Sequence, residues 1–317
     1  MKKSFEDLYE NLTNNTSPDF DEAWRNAKSE QRTINIIFLV LAILVDVFII
    51  YKMNSFIAGF SMFIIFLLVF ILMADIVIYF LLNLIFSKNQ RNFKILFKTN
   101  IIRVLLSNFY DNIVYTPQTK MPDVIYRKAK YNEYFNKYYS DDYMEGNIDN
   151  KYPIKMAEVH TIHETTHTDS DGHTHTTSTT IFHGLFSVIM LDKSINSELQ
   201  IRANRSISSK TKLEMDSQEF EKYFDVSASN PIIGMQLLTH DIMELLISFK
   251  KATGITYDIS IYNNVMYLRF HTGALFELNS IKKGAFDKEL LKKYYNILDF
   301  SYTLSKMLID LIGKTEI

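Results

Sequence analysis

Six of the eight histidines fall between Val159 and Gly184: His160, His163, His167, His173, His175 and His183. Imidazoles at this density are either metal ligands or a polar, proton-titrating surface. Zinc is the ion that such a set would take, with His163, His167, His173 and His175 as candidate ligands. His163-Glu164-Thr165-Thr166-His167 has the His-Glu-x-x-His spacing of zinc peptidases, which works only on a helix. Its threonines and the following Asp169-Ser170-Asp171-Gly172 argue instead for a strand and a turn. On a strand His163 and His167 share a face but stand roughly 13 Å apart. His173 and His175 are two residues apart on one face, a workable bidentate spacing. A two-residue Asp171-Gly172 turn sets Thr168 opposite His175 and His160 opposite His183. Only Glu164 and Ser170 then lie near the second pair. The expected state is therefore an exposed polar hairpin tip without a resident cofactor, with adventitious zinc or nickel binding as the alternative.

The elements that would carry this tip belong to an α+β domain. Strands are expected at Lys155–Thr168, His173–Leu191, Glu198–Ala203, Phe224–Ala228, Thr256–Ile261 and Val265–Phe270. The last two flank Tyr262-Asn263-Asn264 and read as a hairpin. Helices are expected at Ser217–Tyr223, Thr239–Thr253, which Gly254 would stop, and Phe286–Ile312. Strands in runs, with helices inserted and appended, indicate an antiparallel sheet. The chain has no cysteine, which excludes disulfides and thiolate chemistry. It also lacks nucleophile-elbow, Walker and dinucleotide-glycine motifs. A net charge of -2 gives no reason to expect nucleic acid as a partner.

Ahead of this domain lie two apolar runs, 34–51 and 56–86, separated by Lys52-Met53-Asn54-Ser55. A bilayer core takes about 20 apolar helical residues, so the expectation is a transmembrane helical hairpin, retained rather than cleaved. Arg25, Lys28 and Arg32 precede it; Lys88, Arg91, Lys94, Lys98 and Arg103 follow it; the loop holds Lys52 alone. Both termini are then cytoplasmic in a multi-pass protein of the cell membrane. Two carboxylates interrupt the runs. A turn centred between Met53 and Asn54 sets Asp75 level with Arg32, an interfacial pair, and Asp46 level with Ser61 in the outer leaflet. It also carries 76–86 past the inner boundary as a stalk. The expected divisions are a cytoplasmic segment 1–32, the hairpin 33–87, an amphipathic basic helix 88–116, a Tyr-rich connection 117–150 and the α+β domain 151–317. The basic helix suits either the membrane surface or the soluble domain.

Several segments resemble a bacterial family of unknown function, the domain-of-unknown-function family 3137. They are Asp141-Asp142-Tyr143-Met144-Glu145-Gly146, Ala157-Glu158-Val159-His160, Ile181-Phe182-His183-Gly184-Leu185-Phe186, the run from Phe220 to Val226, and the run from Leu237 to Leu246. The resemblance implies a membrane-tethered cytoplasmic domain and supplies no reaction. The reading that follows is a membrane-anchored binding or scaffold protein, in contact with the lipid bilayer and with a protein partner or lipid headgroup. A homo-oligomer is compatible with it. The alternatives are a metal-dependent hydrolase at the His-rich hairpin and a small oligomeric transport subunit using Asp46.

Overall fold

The structure is a computed structural model, and it describes residues 2–57, 61–169, 172–203, 212–278, 280–281 and 283–314, with the side chains of 52–67 left aside. In chain order the elements are α1 (Phe5–Asn14), α2 (Pro18–Ile57), α3 (Ser61–Phe86), α4 (Lys88–Phe97), a π-turn (Lys98–Ile102), α5 (Arg103–Ser107), β1 (Asp111–Thr116), α6 (Asp123–Arg127), β2 (Lys137–Ile148), β3 (Tyr152–Thr168) and β4 (Thr174–Ala203). β5 (Lys212–Leu213), α7 (Gln218–Glu221), β6 (Phe224–Ala228), α8 (Pro231–Leu237), α9 (His240–Thr253), β7 (Thr256–His271) and α10 (Lys288–Lys314) complete the chain. The class is α+β: two apolar helices, then an antiparallel sheet with helices.

Two compact units divide these elements. One comprises Tyr9–Phe97 and Leu278–Asp287. From Ile34 on, α2 is apolar around most of its circumference, as is α3, which suits a helix in lipid, and both are long enough to cross a membrane. The polar first turns of α2 bury Phe20 against Phe93 of α4. The segment around Gly284 closes over them: Trp24 Nε1 donates to the Ile281 carbonyl at 3.0 Å, and Tyr9 Oη donates to the Phe286 carbonyl at 2.9 Å.

The other unit comprises Met1–Leu8, Lys98–Glu277 and Lys288–Ile317. Its sheet runs β1-β2-β3-β4-β6-β5, with β7 also paired to β4, and every pairing is antiparallel. One face carries Phe270 and Tyr257 into an aromatic layer with Phe249 of α9 and Phe300 of α10, whose rings stack at 3.8 Å. The other face holds Ala157, Val159, Phe182, Phe186 and Tyr267 beneath Met121, Tyr126, Tyr131 and Phe135. α9 starts where Thr239 Oγ1 accepts from the Ile242 amide and stops at left-handed Gly254, as its sequence signals require.

Three expectations need correction. Thr256–Ile261 and Val265–Phe270 do not form a hairpin. They are halves of one strand, both paired to β4, and the register shifts where β4 inserts extra residues between Met190 and Glu198, opposite Asn263 (φ 52°). Glu198–Ala203 is likewise the far end of the 30-residue β4. The Tyr-rich stretch contains a full strand, β2, whose buried Ser140, Asp142 and Met144 alternate with more exposed neighbours. Tyrosine suits that half-buried surface.

Candidate functional site

The ribbon formed by the ends of β3 and β4 carries the predicted metal ligands. His163-Glu164-Thr165-Thr166-His167 lies on a strand, with Glu164 held by Lys137 at 2.7 Å and by the Ser178 hydroxyl at 3.1 Å. The helical geometry of a zinc peptidase does not form there. The turn is also wider than a two-residue loop. The Asp169 amide donates to the His173 carbonyl at 2.9 Å, and Gly172, with φ 84°, donates to the Asp169 carbonyl at 3.1 Å. Ser170 and Asp171 lie outside the described residues. The wider turn pairs Thr168 with Thr174 and His167 with His175, and a bulge between Thr161 and Ile162 then restores the expected His160–His183 pairing. His163 packs edge-on against Tyr134, away from the tip.

At the root of the ribbon is a cluster that residue spacing alone hides. Asp141 and Asp142 are adjacent on β2, and a regular strand would send them to opposite faces. A bulge between Asp141 and Met144, with Asp142 at φ 52°, re-aims them. Asp141, Asp142 and Glu158 thereby bring one oxygen each within 4.8 Å of one another. Lys98 Nζ lies 2.7 Å from Asp142 and 2.5 Å from Glu277. Tyr115 donates to Asp142 at 2.5 Å. Glu158 accepts the Leu275 amide at 2.8 Å and faces His183 Nε2 at 3.2 Å. The His183 ring stacks on His160 at 4.3 Å.

The electrostatics follow from one ammonium shared among several carboxylates. Burial alone would lower the Lys98 ammonium, but Asp142 and Glu277 outweigh it and hold it at about 12. Burial pushes Asp142 up to about 6 despite Lys98, and Glu158 up to about 7 despite the Leu275 amide. Burial lowers both His183 and His160, the latter further because a second charge cannot sit on the stacked ring. Asp142 and Glu158 are thereby the two carboxyls that burial raises toward neutrality. Lys98 fills the centre that a cation would otherwise occupy, and Asp141, with Glu158 and His183, is what remains to ligate.

A linkage prediction arises here. A carboxyl whose folded pKa is raised stabilises the fold below its unfolded value and loses that contribution as pH rises through the folded value. Glu158→Gln should keep the amide acceptor and remove the buried charge. Its melting temperature relative to the native chain should be higher at pH 8 than at pH 5, with the change between about 4.5 and 7. An equal difference at both pH values in a melting series would refute the assignment.

On the far face of the sheet is a second ionic group. Arg269 is fully buried, donating from Nε to Asp258 at 2.6 Å and from Nη1 and Nη2 to Glu133 at 2.5 and 2.7 Å. Tyr126, His271 and Arg202 complete it. Every charge has an opposite partner, so this group ties the 121–135 segment to the sheet.

The membrane acids sit differently from their expected levels. α2 stays helical to Ile57 and α3 begins at Ser61; residues 58–60 lie outside the described residues. Phe38 and Tyr79 meet edge-on at 5.2 Å and fix the register of the two helices. Asp75 then lies level with Ala42, not Arg32, so the Arg32–Asp75 pair does not form. Asp46 lies level with Ile71, not Ser61, whose side chain is outside the described set. The two acids are one helical turn apart, about 6 Å of rise. Each has a buried carboxylate oxygen without a hydrogen-bond partner. Phe86 falls near the level of Gln31, which removes most of the expected stalk.

Residues 180–309 match the family model described as "Protein of unknown function (DUF3137)". The match takes in the Ile181–Phe186, Phe220–Val226 and Leu237–Leu246 segments that carry the resemblance. No curated protein matches the chain. Among solved structures, the chain is similar to the crystal structure of the mycobacterial trehalose monomycolate transport factor A, TtfA, at 6% identity and a TM-score of 0.33, over 64% of this chain and 93% of that one. At that score nothing transfers from it to this chain.

Proposed function

We propose that the protein is a two-pass membrane-anchored binding or scaffold protein, with its sheet domain and both termini in the cytoplasm. The observation that carries this reading is the apolar surface of α2 and α3. Ile36 and Leu44 are 64% and 61% exposed, and Phe80 and Leu84 are 64% and 61% exposed, surface that water would not tolerate at such extent. The cations flanking the helices, Arg25, Lys28 and Arg32 before them and Lys88, Arg91 and Lys94 after them, support the orientation. In the sheet domain the buried Arg269 is taken up by its ion pairs with Asp258 and Glu133, which supports a structural over a catalytic role for that group. The ligand of the sheet domain is a partner protein or a lipid headgroup. Affinity capture of the full chain from membranes in mild detergent, with helices intact, should recover a specific protein or lipid in near-stoichiometric yield. Recovery of neither, or equal recovery by a chain lacking residues 111–317, would reject the reading.

A further inference from the structure

The register at the ribbon tip pairs two histidines that residue spacing alone does not bring together. His167 and His175 are directly opposite on β3 and β4, so they project from one face of the ribbon. Directly opposite residues have Cβ atoms about 5 Å apart, which lets two imidazoles converge on one ion. Asp169 adds an oxygen. Its Oδ1 accepts the His173 amide at 2.8 Å, which fixes the carboxylate in the turn, and its Oδ2 lies 3.7 Å from His175 Nε2. Zinc takes His nitrogen and carboxylate oxygen at about 2.0–2.2 Å. Two such ligands 3.7 Å apart subtend roughly 120° at a shared ion, close to the tetrahedral requirement.

We propose that His167, His175 and Asp169 form a solvent-open binding site for a divalent transition metal of the zinc class, clipping the ends of β3 and β4 together across the turn. His163 is four residues down the strand from His167, too distant to join. His173 contributes its backbone amide to Asp169, which a side-chain substitution leaves in place. The His175 side chain is 74% exposed, so the ring has room to swing onto an ion and the fourth position is open to water. The site is separate from the Asp141–Asp142–Glu158 cluster, whose centre Lys98 fills.

The test is calorimetric titration of Zn²⁺ into the full-length chain in detergent, with hydrogen exchange of residues 162–180 followed in parallel. One ion per chain should bind, and exchange at the tip should slow. His167→Asn and His175→Asn should each weaken binding at least tenfold, and Asp169→Asn several-fold, while His173→Asn and His163→Asn bind as the native chain does. Absence of binding would overturn the site, as would loss caused equally by His173→Asn. Binding that survives the His167→Asn/His175→Asn double change but is lost in Asp141→Asn would place the ion at the other cluster and overturn it too. The tip is exposed, so these variants fold, and slowed exchange confined to 162–180 separates a clip from a surface ion.

Discussion

Arg269→Met should lower the melting temperature of the full chain by roughly 10 °C. The guanidinium has no exposed surface and neither has the Asp258 carboxylate it meets. Removing it takes away the cation that Asp258 and Glu133 share, leaving Arg202 on Glu133 and His271 on Asp258 among the described residues. Stranding a buried charge in this way costs about 3–5 kcal/mol, and a domain of this size loses about 2–4 °C per kcal/mol. Arg269→Lys should fall between, because a single ammonium cannot serve both the two-pronged contact to Glu133 and the Nε contact to Asp258. The pH dependence has a definite sign. Burial raises the Asp258 carboxyl, but Arg269 outweighs burial and holds it well below the usual carboxylate range. A depressed folded value gives stability that is present above about pH 4 and lost as pH falls further. The native chain should therefore lose stability below pH 4 more steeply than Arg269→Met. Thermal unfolding across pH 3–7 checks both points, and a drop under about 3 °C at pH 7 would show that the network is not what fastens the 121–135 segment.

How far the sequence discloses this molecule depends on whether the deciding interaction is local. α9 is legible because Thr239 and Gly254 act within a turn of their own positions. The His-rich hairpin is legible because Asp169 to Gly172 interrupt two β-forming runs. The DUF3137 resemblance, too, is carried by short contiguous segments. What stays hidden is set by register. Asp142 joins Asp141 and Glu158 only because a bulge turns it, and nothing in Ser140-Asp141-Asp142-Tyr143 marks that bulge beyond an Asp able to adopt a positive φ. Asn263 is a similar case: a turn-forming residue through which the strand runs on, opposite the inserted residues of β4. In the hairpin helices, four residues of polar sequence at 52–55 imitate a turn, yet α2 continues through them to Ile57. Moving the reversal by about five residues moves every partner across the seam by twice that amount. That shift separates Asp75 from Arg32 and brings it to within about one helical turn of Asp46 in depth. His167 and His175 meet for the same reason, through a wider turn and a compensating bulge.

The same dependence on register makes Gly184 intolerant of a side chain. A Cβ on Gly184 would sit 1.9 Å from the Phe270 carbonyl oxygen and 2.7 Å from the Thr272 amide nitrogen. Both are backbone atoms of the paired strand end, so no rotamer relieves the overlap. The strands would have to part where Leu185 pairs with Phe270 and where the Gly273 amide donates to the His183 carbonyl at 3.1 Å. Arg269 and His271 flank that point on β7, and His183 precedes it on β4, so the damage would reach the buried ion network and the stacked histidines together. Forced strand separation in a packed sheet belongs with the largest single-residue effects, about 4 kcal/mol or more. Gly184→Ala should therefore yield a chain that melts more than 10 °C below the native one or fails to accumulate folded. Gly172→Ala is the matched control. It has a positive φ but open space around its Cβ, so only the left-handed backbone cost of about 1 kcal/mol applies, and hydrogen exchange should quicken at 162–180 alone. If Gly184→Ala instead melts within 2 °C of the native protein, β4 and β7 do not approach as closely as this register requires, and the assignment of His183 to the Glu158 cluster would fall with it.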